Sequence, residues 1–327
     1  MSSTSTQTLL STAVQLSIIS LFSSTGSDPL AMFSIVTDAA LPADSFIHLL
    51  HDRLSKPSPP LPKTLLRLPE LEGNGGSDPH LRGRELEQSV LHIQSPTIPT
   101  TYIQSPPISS SSDSSAHSGG LGIKLPWIHL QIRNLAKEWS FEVGIVDQAG
   151  RAGVIRLSTF QLLVNLSLSL RLDDTRIYHL LFKSTPLKNY TISLSVLFEI
   201  FFSKTPHLKT GPNSPPLLLL PLLFPARSTH LLTPWSTINI YLPTILSYFT
   251  SPHLLSNSTE DAENANQGPS SSNARPMGRN RAALPGGTLA HVSYVRVYAS
   301  CRLRRIWFSE GGPSQKVPWE LELYAVD

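Results

Sequence analysis

Residues 119–157 read GGLGIKLPWIHLQIRNLAKEWSFEVGIVDQAGRAGVIRL, and the reading of this stretch decides the fold. From Ile128 the apolar residues fall on alternate positions, Ile128, Leu130 and Ile132, with His129, Gln131 and Arg133 between them. That is the period of a half-buried strand, whose successive side chains point to opposite faces. The pattern resumes after Asn134: Trp139, Phe141, Val143 and Ile145 point one way, Ser140, Glu142 and Gly144 the other. Asp147-Gln148-Ala149-Gly150 supplies turn chemistry before Ile155 and Leu157, so a three-strand meander is expected.

The same alternation extends outward. Toward the C-terminus Val295, Val297, Ala299, Cys301 and Leu303 alternate with Arg296, Tyr298, Ser300, Arg302 and Arg304, which reads as one strand with a buried and a presented face. The doublet Arg304-Arg305 predicts a bulge, because Ile306 and Phe308 shift the apolar phase by one. Trp319, Leu321, Leu323 and Ala325 alternate with Glu320, Glu322 and Tyr324 as a closing strand. Toward the N-terminus, Val14 to Phe22 and Leu30 to Val36 are apolar segments around a polar turn at Gly26, and Asp44 to Leu54 reads as a short helix. Ser89 to Ile93 and Thr100 to Ile103 are two further strands, and Trp235 to Phe249 is a strand running into a helical turn begun by Pro243.

Composition sets limits on function. The 28 prolines, with a heavy serine load, keep much of the chain out of regular structure, so one domain with insertions is expected. A net charge of +3 gives the molecule no strong overall field for nucleic acid, and any electrostatic attraction must be local. A lone Cys301 makes neither a disulfide framework nor a zinc site and fits a reducing compartment. No lysine or arginine precedes Arg53, so Val14 to Phe22 lacks the basic flank of a signal peptide and reads as a strand. The leucine run at 217–220 is interrupted by Pro221, far short of the roughly 20 apolar residues a bilayer needs, so no membrane partner is expected. Catalytic signatures are missing: there is no Gly-x-Ser-x-Gly elbow, phosphate loop or His-Glu-x-x-His, and the adjacent Asp173 and Asp174 point apart on an extended chain. No cofactor, metal or small-molecule substrate is expected, and the chain reads as a non-enzyme.

Two blocks resemble the cilia- and flagella-associated protein 20 domain family. One runs from Leu121-Gly122-Ile123-Lys124-Leu125-Pro126 through Ile132-Arg133-Asn134-Leu135 to Phe141-Glu142-Val143; the other is 294–309, YVRVYASCRLRRIWFS. The resemblance and the alternation together give an all-β fold, a single β-sandwich of jelly-roll type with long disordered loop insertions. Its core blocks are expected at 14–36, 86–161, 204–249 and 286–327. An insertion at 37–85, a serine-rich loop at 105–118 and a linker at 250–285 separate them. Residues 162–203 read as an extra block unlike anything in the family, for which a retained intron is the hypothesis; finding the block in every transcript read would refute that origin. Within the first insertion, 56–62 (KPSPPLP) also satisfies a polyproline ligand pattern for SH3 domains.

What the resemblance implies is a non-enzymatic structural protein of axonemal and centriolar microtubules, located in the cytoskeleton and cilium. The acidic partner would be tubulin, and Lys124, Arg133, Arg296, Arg302, Arg304 and Arg305 are the candidate contact residues. The plainer reading pairs Arg302 and Arg304 with Glu320 and Glu322 across neighbouring strands. A rival function is a nuclear or cytoplasmic scaffold that binds protein or RNA in a lineage without cilia. A third is a sugar-binding module that uses Trp127, Trp139, Trp235, Trp307 and Trp319, although their places in alternating rows favour core duty for most.

Overall fold

The computed structural model describes residues 9–10, 14–52, 55–57, 66–67, 85–86, 89–107, 120–160, 191–193, 206–211, 214–222, 224, 235–255, 283–318 and 321. Two seven-stranded sheets form a β-sandwich. The strands are β1 (Ile18–Ser23), β2 (Ser34–Val36), β3 (Phe46–His51), β4 (Leu66–Arg67), β5 (Glu85–Leu86), β6 (Ser89–Gln94), β7 (Tyr102–Ser105) and β8 (Trp127–Asn134). They continue as β9 (Ser140–Asp147), β10 (Ala152–Ser158), β11 (Thr191–Ser193), β12 (His207–Lys209), β13 (Leu217–Pro221), β14 (Trp235–Tyr241), β15 (Leu289–Tyr298) and β16 (Cys301–Ser309). The first sheet runs β11-β14-β8-β16-β6-β3, with β1 beside β16, and the second runs β12-β13-β10-β9-β15-β7-β2. β4 and β5 pair separately.

The expected alternation puts the large apolar side chains of both sheets into one core. Ile128, Leu130 and Ile132 from β8 and Leu303, Ile306 and Phe308 from β16 meet Phe141, Val143 and Ile145 from β9 and Val292, Val295 and Val297 from β15. The helical turn after β14 is α1 (Leu242–Leu246), with proline in its first turn, and it adds Leu242, Ile245 and Leu246 to this core. The bulge at Arg304-Arg305 is present, since the β16 register against β8 shifts between Leu303 and Arg305.

Three expectations are corrected. The central stretch is not a meander: β9 and β10 form a hairpin, but β8 lies in the other sheet, paired with β14 and β16. The chain crosses over at Leu135 to Glu138, where Ala136 takes a left-handed φ of 55°. The segment from Asp44 is not helical: Phe46–His51 is an edge strand paired with β6, and its alternate residues Ile47 and Leu49 pack on the core. Val295 to Leu303 is not one strand either. Ala299 N donates to Thr101 O and Ser300 N to Glu138 O, and the chain passes from the second sheet to the first at this corner.

The polyproline run from 58, most of the serine loop, the linker at 256–282 and the closing strand at 319–325, Leu321 excepted, lie outside the described residues. So does the extra block at 162–203 apart from Thr191–Ser193, a short strand parallel to β14. Among the described residues no helix is long and apolar enough to cross a membrane.

Candidate functional site

The six cationic candidates do not share a face. Lys124 and Arg296 belong to the second sheet, Lys124 following the bridge between Ile123 and Val292. Arg133 on β8 and Arg302, Arg304 and Arg305 on β16 stand on the outer side of the first sheet.

On the first sheet the arginines are drawn inward. Arg302, Arg304 and Arg305 are each no more than 5% exposed. Asp52, just past β3, is the hub: Oδ1 accepts from Arg133 Nη1 at 3.2 Å and Arg302 Nη1 at 3.1 Å. Its Oδ2 accepts from Trp235 Nε1 at 2.7 Å and from Arg304 Nη2 at 3.4 Å. Arg302 also donates to the Asp52 carbonyl, to Ser55 Oγ and to His92 Nδ1. The guanidinium carbons of Arg133 and Arg304 lie 5.2 Å and 4.2 Å from the Trp235 ring centroid. Burial pulls Arg304 down to about 10, with Asp52 opposing and Arg305 and Arg133 adding to the fall, so it remains a cation at neutral pH. These side chains act within the fold rather than as an open cationic row. Glu320 and Glu322, the carboxylates first expected opposite them, lie outside the described residues.

Beside this cluster, Trp127 and Trp307 stack on His129 with interplanar angles of 15° and 12°. His129 Nδ1 is 2.6 Å from Asn239 Oδ1, and Nε2 is 2.7 Å from Ser309 Oγ. Asn239 Oδ1 can only accept, so the ring proton sits on Nδ1, and Nε2 of the neutral ring accepts from the Ser309 hydroxyl, whose oxygen in turn accepts from Gly312 N. Serine, imidazole and an orienting amide follow the order of a hydrolytic triad. Ser309 Oγ has no exposed surface from which to attack, however, and a nucleophile needs an accessible site for the reacting atom. The arrangement gives hydrogen-bond partners to both ring nitrogens of His129 and to the buried Ser309 hydroxyl.

Of the tryptophans, Trp139 lies in the inter-sheet core, whereas Trp235 and Trp307 are buried on the outer side of the first sheet, where they flank the arginines and His129. Cys301 is buried, which pushes its thiol far up and leaves it inert. Among the described residues no group of three histidine, cysteine, aspartate or glutamate side chains could hold a metal.

The outer side of the second sheet is built differently. Glu142, 2% exposed, accepts from Arg156 Nε through Oε1 at 2.5 Å, and from Arg296 Nη1 and the Tyr298 hydroxyl through Oε2 at 3.3 Å and 3.1 Å. Arg296 also donates to Gln104 Oε1 and to the Tyr298 oxygen. Its guanidinium carbon lies 4.7 Å from the Tyr102 ring centroid, 5.5 Å from Tyr294 and 5.6 Å from Tyr298. Arg156, not singled out in the sequence, keeps a third of its side chain exposed. Its signal was present: folding β9 and β10 about the turn at Asp147 sets Glu142 opposite Arg156.

A close approach fixes the tyrosine. A Cβ on Gly144 would stand 2.3 Å from the Tyr294 ring, so only glycine lets that ring lie on the sheet. Gly144→Ala should therefore cost roughly 1–3 kcal/mol by overpacking, read as a fall in the urea midpoint. Adding Tyr294→Ala should restore most of the loss. A Gly144→Ala chain as stable as the parent would refute the contact.

Compared with known families, residues 66–171 match the CFA20 domain. The matched segment contains β4 to β10, among them β8 of the first sheet and β9 and β10 of the second, and stops short of β14, β15 and β16. No curated protein matches the chain.

Proposed function

We propose that this chain, with its CFA20 domain at residues 66–171, is a non-enzymatic structural and interaction protein of the cilium, a microtubule-associated component of axoneme organisation and motility. The match to that domain is the observation that carries the reading, and the all-β sandwich agrees with the fold it implies. The partner in this reading is tubulin, and the chain's place is the cytoskeleton of the cilium. A sandwich fold alone does not imply a function, so the test must be of binding.

Sedimentation with taxol-stabilised microtubules tests it. The chain is expected in the pellet at low ionic strength and released as salt rises, because contacts between exposed charges are screened within about 10 Å at 0.1 M salt. A chain that stays in the supernatant at low salt removes the tubulin reading and leaves a scaffold that acts away from microtubules.

A further inference from the structure

We propose that the outer face of the second sheet is a docking surface for an acidic peptide segment of a partner, gripped by Arg156 and Arg296 between the rings of Tyr102 and Tyr294. This deepens the interaction reading above by naming the face and the chemistry it recognises.

The face is organised as a single row. Leu219, Arg156, Glu142, Arg296, Gln104 and Ser34 are successive cross-strand partners through β13, β10, β9, β15, β7 and β2. In the middle, one buried carboxylate holds two guanidinium groups, so this part of the row carries a net positive charge. Both cations keep exposed surface, 34% of the side chain for Arg156 and 25% for Arg296. Arg156 directs Nε and Nη2 to one oxygen of Glu142, and its Nη1 has no hydrogen-bond partner among the described residues. A planar guanidinium held this way presents remaining N–H donors in a geometry that suits an incoming carboxylate.

The aromatic part adds rigid area. Tyr102 and Tyr294 are half-buried and lie against Arg296. The close fit over Gly144 fixes Tyr294 before anything binds, which lowers the ordering cost of association. Arginine and tyrosine are also the residue types that most often carry binding energy at protein interfaces. The first sheet offers less, since Arg302, Arg304, Arg305, Trp235 and Trp307 on its outer side are buried and Arg133 is tied to Asp52. Nucleic acid fits less well, because its affinity comes from neutralising many phosphates and the row offers two cations tied to one carboxylate.

The test is fluorescence anisotropy of a labelled deca-glutamate peptide titrated with the full chain at low salt. Binding is expected to weaken about tenfold or more in Arg156→Ala and in Tyr294→Ala, with the urea midpoint of each reported alongside. Lys137→Ala, an exposed cation in the β8–β9 connection, should bind as the parent does. Equal binding by the parent and both variants, no binding by the parent, or tighter binding of a labelled oligo-uridylate would each overturn the proposal. The same proteins in the microtubule assay separate the two ideas. A parent that binds deca-glutamate through this face but does not pellet refutes the tubulin reading and leaves the face standing. Variants that lose deca-glutamate binding yet pellet as fully as the parent leave both standing and put tubulin on another surface.

Discussion

Asp52→Asn should destabilise the chain by about 3 kcal/mol, at the lower end of the range for removing one partner of a buried ion pair. The lower end is appropriate because the Asp52 side chain keeps 15% exposure. The effect is large because one carboxylate serves four donors, Arg133, Arg302, Arg304 and the Trp235 indole. Asparagine preserves the shape but removes the charge, leaving three guanidinium groups close together with their shared anion gone. Arg302→Met removes a cation from the same centre, and it should cost less in the Asp52→Asn background than in the parent. That difference is the coupling energy of the pair, and urea titrations of the four proteins at neutral pH measure it. A loss below about 1 kcal/mol in Asp52→Asn, the level of an exposed pair, would show that water rather than the fold compensates these charges.

This centre explains why the sequence misleads about its arginines. In β8 and β16 the polar positions His129, Gln131, Arg133, Arg302 and Arg304 alternate with apolar ones, which in a two-layer sheet ordinarily marks the solvent side. Here that side is buried as well, and the residue that balances it lies 81 positions from Arg133 and 250 from Arg302. No local pattern could place Asp52 there. The one local hint is Trp235 and Trp307 on outward positions, because large aromatic rings are seldom left to water on a strand.

Strand existence was legible and sheet membership was not, for a related reason. The inward side chains of both sheets meet in a single core, so alternation keeps its phase when the chain crosses between them. Val297, Ala299 and Cys301 are all buried although β15 and β16 belong to different sheets. Period two therefore reported burial correctly while hiding the corner, and with it the separation of Arg296 from Arg302. The Glu142–Arg156 pair was readable, since a hairpin about a recognised turn fixes its register. The strand character of Phe46–His51 was obscured by Asp44 and Ser45, which resemble a helix start.

Acid should weaken the fold well before its carboxylates are protonated. Burial lowers the pKa of His129 to about 4, against the opposing hydrogen bond to Asn239, and the ordinary value in an unfolded chain is about 6.5. Between these two values the unfolded chain binds a proton that the folded chain refuses, so stability rises with pH across that window. The contribution is complete above about pH 6.5. It falls by about 2 kcal/mol at pH 5 and by about 3 kcal/mol at pH 4. Protonation also reverses the local contact, because Nε2 accepts from Ser309 and would become a donor, so the buried hydroxyl proton would have to turn to another acceptor. His92 and His291 are lowered chiefly by burial too, and they add to the loss in the same direction. Asp38, lowered by the Thr97 hydroxyl, and Asp147, lowered by Gly286 and Arg151 against its own burial, are held below the ordinary carboxylate range and lose their contributions at more acid pH. Urea midpoints taken from pH 7.5 down to pH 4.5 should therefore fall steeply in the parent. His129→Gln, which can keep one of the two hydrogen bonds and has no proton to gain, should start less stable and follow a shallower slope. Parallel slopes in the two proteins would mean that His129 is protonated in the native state, and that the stacked Trp127 and Trp307 rings do not keep its charge out.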